Sequence, residues 1–169
     1  MSAHKHPEHH IYLGIGSNIQ ARYNLPWAID LLRQFVTIEK ISSIFKTPSV
    51  GSEGPDFLNA VLLIRTNLPP DDLRSLIIRD IEKRLGRVRT TDKNTPRTID
   101  IDILIVDNQF YDDEIWEQAH LAIPLAEIAP GYTHPVTGVT LNQIATHLAK
   151  TTLISAQRNI IIHPSKPNI

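Results

Sequence analysis

Cysteine is absent from the 169 residues, so disulfides and thiolate chemistry are excluded, and a structural zinc would need histidines and carboxylates alone. That absence fits a reducing compartment, and a cytoplasmic location is expected. An excess of charge of either sign is missing too. Formal net charge is -1, so no global field advertises a nucleic acid or a membrane surface, and neither is expected as a partner. No apolar run approaches membrane-spanning length, and the polar start "MSAHKHPEHH" lacks the apolar stretch of a signal peptide. Its histidines 4, 6, 9 and 10 read as a mobile tail with incidental metal affinity. No Walker lysine motif or nucleophile elbow occurs. "GIGSN" (14–18) fails as a dinucleotide fingerprint, because Ile19 stands where glycine or alanine is needed. Its glycines suit close backbone approach at a strand end.

What is present fits one domain with a real core: 41% hydrophobic and 21% charged residues, without repeat or linker. "IYLGIG" (11–16) reads as a buried strand. A helix follows with Leu25, Ala28, Ile29, Leu32 and Phe35 on its apolar stripe and Asn24 as N-cap. Residues 36–47 and 56–66 read as strands joined by the loop "PSVGSEGP". Residues 69–86 form the clearest helix, with Leu73, Leu76, Ile77, Ile81 and Leu85 to one side and Arg84 and Gly86 closing it. Strand "TIDIDILIV" comes next, and the remainder is turn-rich, with a helix over 141–150 and a short strand over 159–164. The order β-α-β-β-α-β predicts an α+β, ferredoxin-like antiparallel sheet with helices on one face, an opposite face able to stay open, and C-terminal additions.

The strand "TIDIDILIV" carries Asp100 and Asp102 on one face, about 6.5–7 Å apart. At an effective dielectric near 20, two charges at that distance repel by roughly 2.4 kcal/mol, which a bridging divalent cation removes. Magnesium suits one or two carboxylates plus phosphate and water; a solvated acidic edge is the bland alternative. Arg84, Arg87, Arg89, Lys93 and Arg97 crowd into the fourteen residues 84–97, just before that pair, and guanidinium forks match phosphate oxygens. Cations, carboxylates and a loop are the parts needed for a nucleoside triphosphate. Glu82 lies off the apolar stripe, facing this site or plain solvent; by itself the solvent reading is preferred. Phe57 and Asn59 share a strand face, as suits a flat, hydrogen-bonding heterocycle, although a core Phe beside a turn Asn is the commoner outcome. Trp27 and Trp116 read as core or rim aromatics.

The blocks "GSN" (16–18), "FKTPSVG" (45–51), "PDFLNA" (55–60), "IEKRLGRVR" (81–89), "PRTIDIDIL" (96–104) and "PLAEIAPG" (124–131) occur in order. Over about residues 11–145 the chain thereby resembles the 6-hydroxymethyl-7,8-dihydropterin pyrophosphokinase family. The resemblance implies pyrophosphoryl transfer from the co-substrate ATP to a reduced pterin alcohol in folate biosynthesis, by a monomer or weak dimer. It implies two Mg2+ ions on Asp100 and Asp102. Glu82, Arg89, Arg97 and His120 are implied for ATP, with Arg87, Arg89 and Arg97 catalytic. Thr47, Pro48, Phe57 and Asn59 are implied for the pterin. The expected organisation is a flexible His-rich tail over 1–10, one pyrophosphokinase domain over 11–150 and a C-terminal extension over 151–169. Two departures stand out. Asn94 and Thr95 replace an aromatic residue and a glycine, and "DEIWEQAHLAIPL" is shorter than its family counterpart and lacks its arginine. A diverged paralogue with weak activity is the alternative those departures raise.

Overall fold

The computed structural model describes residues 7–51, 53–160 and 162. Strand β1 (His9–Ser17) is central, pairing antiparallel with β4 (Phe57–Thr66) on one side and β5 (Asp100–Val106) on the other. It starts two residues before the expected boundary, so His9 and His10 are strand residues opposite Thr66 and Arg65. His4 and His6 lie outside the described residues. On the far edge of β4 the expected single strand over 36–47 is two, β2 (Thr37–Ile41) and β3 (Ile44–Thr47). The break falls at Ser42, whose hydroxyl accepts the Val61 N–H at 2.9 Å in place of a backbone carbonyl. With β2 and β3 taken together, the spatial order β5-β1-β4-β3 is that of the ferredoxin-like fold.

Two further strands extend the sheet beyond this frame. β6 (Gln109–Phe110) folds back on β5 through a two-residue turn, Asp107 and Asn108, both at positive φ as such hairpins require. β7 (Ser155–Gln157) covers the free edge of β3. Of the expected last strand over 159–164, the described residues 159, 160 and 162 are irregular; Ile161 and residues 163–169 lie outside the described residues.

Helix α1 (Ala21–Leu32) buries Leu25, Ala28, Ile29 and Leu32 against the sheet. It begins earlier than expected: Gln20 is its N-cap, while Asn24 is buried inside the first turns and donates to the Ile19 carbonyl at 2.7 Å. Phe35 consequently falls beyond the helix end and is exposed. The second helical segment runs as α2 (Pro70–Asp72), a π-helical stretch (Leu73–Ile78) and α3 (Arg79–Arg84). The wider π turn shifts the stripe by one residue, so Ile78 is buried and Leu76 is 61% exposed. Gly86, at φ +76, ends the segment as expected.

Both faces of the sheet are covered. Odd residues of β1 and even residues of β4 join α1, the π stretch and α3 in the larger core. On the other face, Val61, Leu104 and Ile105 pack under α4 (Ala119–Ile128) and α5 (Leu141–Thr151), together with Trp116 from the 3-10 turn Asp113–Trp116. The expectation of an open second face is thus corrected: α4 and α5 leave only one end of it free. Trp116 is core, whereas Trp27 is 42% exposed. Among the described residues no helix is long and apolar enough to cross a membrane.

Candidate active site

The uncovered end of the sheet is a cleft of about 770 Å³. Strand alternation chooses its lining. On the face opposite the larger core, β1 presents Gly14 and Gly16, flanked in register by Asp102 and Asp100 on β5 and by Val61 and Asn59 on β4. Two glycines side by side on a central strand need a reason, since glycine weakens strands. A Cβ on Gly16 would stand 3.0 Å from Asn59 Oδ1, and one on Gly14 would stand 3.1 Å from Leu121 Cδ2 on α4. The glycines therefore admit Asn59 and α4 close to the sheet, and Gly16 leaves bare backbone in the floor of the cleft.

The two expected groups of residues meet here. Thr47, Pro48, Phe57 and Asn59 line one part, and Arg87, Arg89, Arg97, Asp100, Asp102 and His120 line another. Asn59 Nδ2 donates to Thr47 Oγ1 at 3.0 Å, which orients the amide beside the Phe57 ring. The Arg97 guanidinium carbon lies 5.9 Å from the centre of that ring, where the two groups adjoin.

Glu82 is not among the cleft walls, nor is it the solvent-facing glutamate its helical position invites. It is 3% exposed and sits beneath the arginines. One oxygen accepts from Arg87 Nη1 at 2.8 Å and from the Ile101 N–H at 3.2 Å; the other accepts from Arg89 Nη2 at 2.6 Å. Its side chain holds the arginines rather than meeting the cleft. Arg84 leaves the cluster altogether: it pairs with Asp80 one turn back on the outer face of the helix.

The two aspartates have opposite surroundings. Arg87 and Arg97 each donate to Asp100. Burial works to raise the Asp100 carboxyl, but these two guanidiniums outweigh it and hold the group below its usual range. Arg87 answers in kind: burial would lower it, yet Asp100 and Glu82 raise it. Asp102 projects into the cleft and, among the described residues, accepts no hydrogen bond. Burial by the surrounding walls, followed by the charges of Asp100 and Asp112, pushes it up to about 7. A carboxylate raised first by burial and then by its neighbours' charge, and left without a donor, has the chemistry of a cation ligand. Among the described residues no third histidine or acid gathers with these two, so a metal here would take its other ligands from substrate and water.

The third wall was not read from the sequence. Asp112, Glu114, Glu117 and Gln118, from the segment between β6 and α4, line the cleft beside His120. Burial, and the charge of Arg97, keep the His120 imidazole below its usual range despite Asp112. No arginine occurs between residues 98 and 157, so the guanidiniums of the cleft all come from 87–97. Asn18 was also passed over, except as part of "GSN". It is 2% exposed, and its amide reaches both loops that flank the cleft.

The model of the 7,8-dihydro-6-hydroxymethylpterin-pyrophosphokinase (HPPK) family matches residues 12–130. The corresponding pyrophosphokinase of Aquifex aeolicus is 37% identical over 136 residues, 75% of this chain and 84% of the relative. That of Bacillus subtilis is 36% identical over 144 residues, 78% and 85% of the two chains. The folic acid synthesis protein FOL1 of Dictyostelium discoideum is 31% identical over 153 residues, 82% of this chain but only 22% of that longer protein. Among solved structures, the HPPK-DHPS of Plasmodium falciparum with pteroate shares the fold at a TM-score of 0.69 and 13% identity. It is covered over 88% of this chain and 44% of its own. A ferredoxin-like sheet with an arginine-and-carboxylate cleft defines the class. The chain belongs to the HPPK family.

Proposed function

We propose that this chain transfers pyrophosphate from ATP to the hydroxymethyl oxygen of 6-hydroxymethyl-7,8-dihydropterin, releasing AMP, as a step of folate biosynthesis. The observation that carries this reading is the meeting of two chemistries in one cleft. Phe57, Asn59 and Thr47 suit a flat, hydrogen-bonding ring, and Arg87, Arg89, Arg97, Asp100 and Asp102 suit a polyphosphate. The pterin ring lies against Phe57, with the Asn59 amide on its edge and Pro48 closing the side. That pose points the hydroxymethyl group toward Arg97, where the β-phosphorus is attacked in line. Arg87, Arg89 and Arg97 hold the transferring and leaving phosphates, and His120, kept neutral by burial, contacts the nucleotide. Two magnesium ions held by Asp100 and Asp102 would align the triphosphate and neutralise its developing charge. Positioning and charge stabilisation suffice for such a transfer, and no side chain of the cleft needs to act as a strong base. The reading also carries a cytoplasmic location and action as a monomer or weak dimer.

The test is AMP formation from ATP with and without the pterin alcohol, in wild type and in Asp102→Asn. Pterin-dependent AMP is expected in wild type and a loss of at least about 10²-fold in the variant. Metal-free Asp102→Asn should melt no lower than wild type, because it removes a repelled charge. Wild-type activity in the variant would refute the metal role; AMP release indifferent to pterin would refute the reaction.

A further inference from the structure

Beyond the residues that face the cleft, one buried amide ties its two halves together. Asn18 follows the end of β1. Its Oδ1 accepts the Arg97 N–H at 2.7 Å, and its own N–H and that of Ile19 donate to the Arg97 carbonyl at 3.1 and 3.3 Å. Its Nδ2 donates to the Pro55 carbonyl at 3.3 Å. Pro55 lies two residues before Phe57, and Arg97 three before Asp100. The same side chain therefore grips the last turn of both loops, 48–56 and 87–99, just where each delivers its working residue. The loops also meet at their far ends: a Cβ on Gly51 would come within 2.8 Å of Asn94 Nδ2.

We propose that Asn18 is a positioning residue that sets Arg97 in register with Phe57, and so aligns the phosphate half of the cleft with the heterocycle half. The proposal rests on the pyrophosphokinase reading. An alanine here leaves the Arg97 N–H and the Pro55 carbonyl without their buried partner, so both loops lose one anchor at once. Neither half loses a group that touches its own ligand. What is lost is the alignment between them, and misplacement by about 1 Å costs on the order of 10²-fold in rate.

The experiment compares wild type, Asn18→Ala and Asn18→Asp. In Asn18→Ala, kcat should fall about 10²-fold while each KM stays within about threefold, a split that general loosening of the site would not produce. Backbone hydrogen exchange should quicken together at residues 56–57 and at Arg97. Asn18→Asp keeps an acceptor for the Arg97 N–H but offers oxygen to the Pro55 carbonyl, so exchange should quicken at 56–57 alone. Should Asn18→Ala not fold, Asn18→Asp alone carries the test, with kcat lowered and Arg97 still protected. Unchanged kcat, KM values rising without loss of kcat, or exchange that leaves 56–57 as in wild type overturns the proposal. Wild type lacking pterin-dependent AMP release would sink the functional reading instead, and the exchange measurement would still decide whether Asn18 holds the loops.

Discussion

Both oxygens of Glu82 are held inside the protein, shared between Arg87, Arg89 and the Ile101 amide. Taking Glu82 from this group leaves the largely buried Arg87 and the Ile101 N–H unbalanced, although Arg89 is exposed. Breaking such a buried pair costs about 3–5 kcal/mol. Glu82→Ala should therefore lower the urea midpoint by an amount worth a few kcal/mol, with a clearly smaller loss for Glu82→Gln. A change near zero would mean that the arginines are already satisfied by Asp100 and solvent. At this scale legibility depended on geometry within one strand. Asp100 and Asp102, or Phe57 and Asn59, share a face by simple alternation, and the structure brings them together as expected. Glu82 was read toward solvent by itself and toward ATP by the resemblance; neither reading found its buried place, because helical position says nothing of a loop folding back over it. Arg84 and Arg87 looked like one cluster, yet Gly86 turns the chain between them and sends their side chains apart.

Elements with a strong period were legible: the central strands, the two helices of the main frame and the helix at 141–151. Elements defined by a partner elsewhere were not. β6 and β7 are two and three residues long and exist only because β5 and β3 offer an edge. The gap between β2 and β3 depends on Ser42 meeting Val61, nineteen residues away. The π stretch exposed Leu76 against its expected place for a similar reason, since packing rather than propensity sets that turn. Strand β1 carries the prediction proper to this scale. Gly16→Ala sets a methyl group 3.0 Å from Asn59 Oδ1 and turns that amide from its bond with Thr47. Steady-state kinetics should show the pterin KM raised about tenfold, equivalent to about 1.4 kcal/mol, with the ATP KM little changed. Equal effects on both substrates would contradict the division of the cleft.

Across the whole molecule, the cleft charges are linked to folding. Asp102 is raised to about 7 in the folded protein from an ordinary 3.8. Between those values the folded state holds more protons than the unfolded one, so this group lowers stability as pH rises through the window. Asp100 works in the opposite sense: its lowered carboxyl adds stability above the unfolded value, lost as pH falls through the folded one. A divalent cation offsets the charge on Asp102 only once its proton has left. Thermal melts should therefore show a larger rise on adding millimolar magnesium at about pH 8 than at about pH 5.5. A rise independent of pH would disconnect Asp102 from the ion. The strand order was legible from the alternation of strands and helices, but the cover of α4 and α5 on the second face was not, because it depends on where the chain returns after β6.

That cover leaves Gly16 as bare backbone at the bottom of the cleft, in a strand hydrogen-bonded along both edges. Such a surface has no rotamers. Loops may be exchanged and arginines lengthened or shortened, but the depth available to a ligand is gauged by the sheet itself. Selection by depth is thereby separated from selection by charge: walls can evolve toward new phosphates or new ring edges, while the strand beneath them stays paired on both edges.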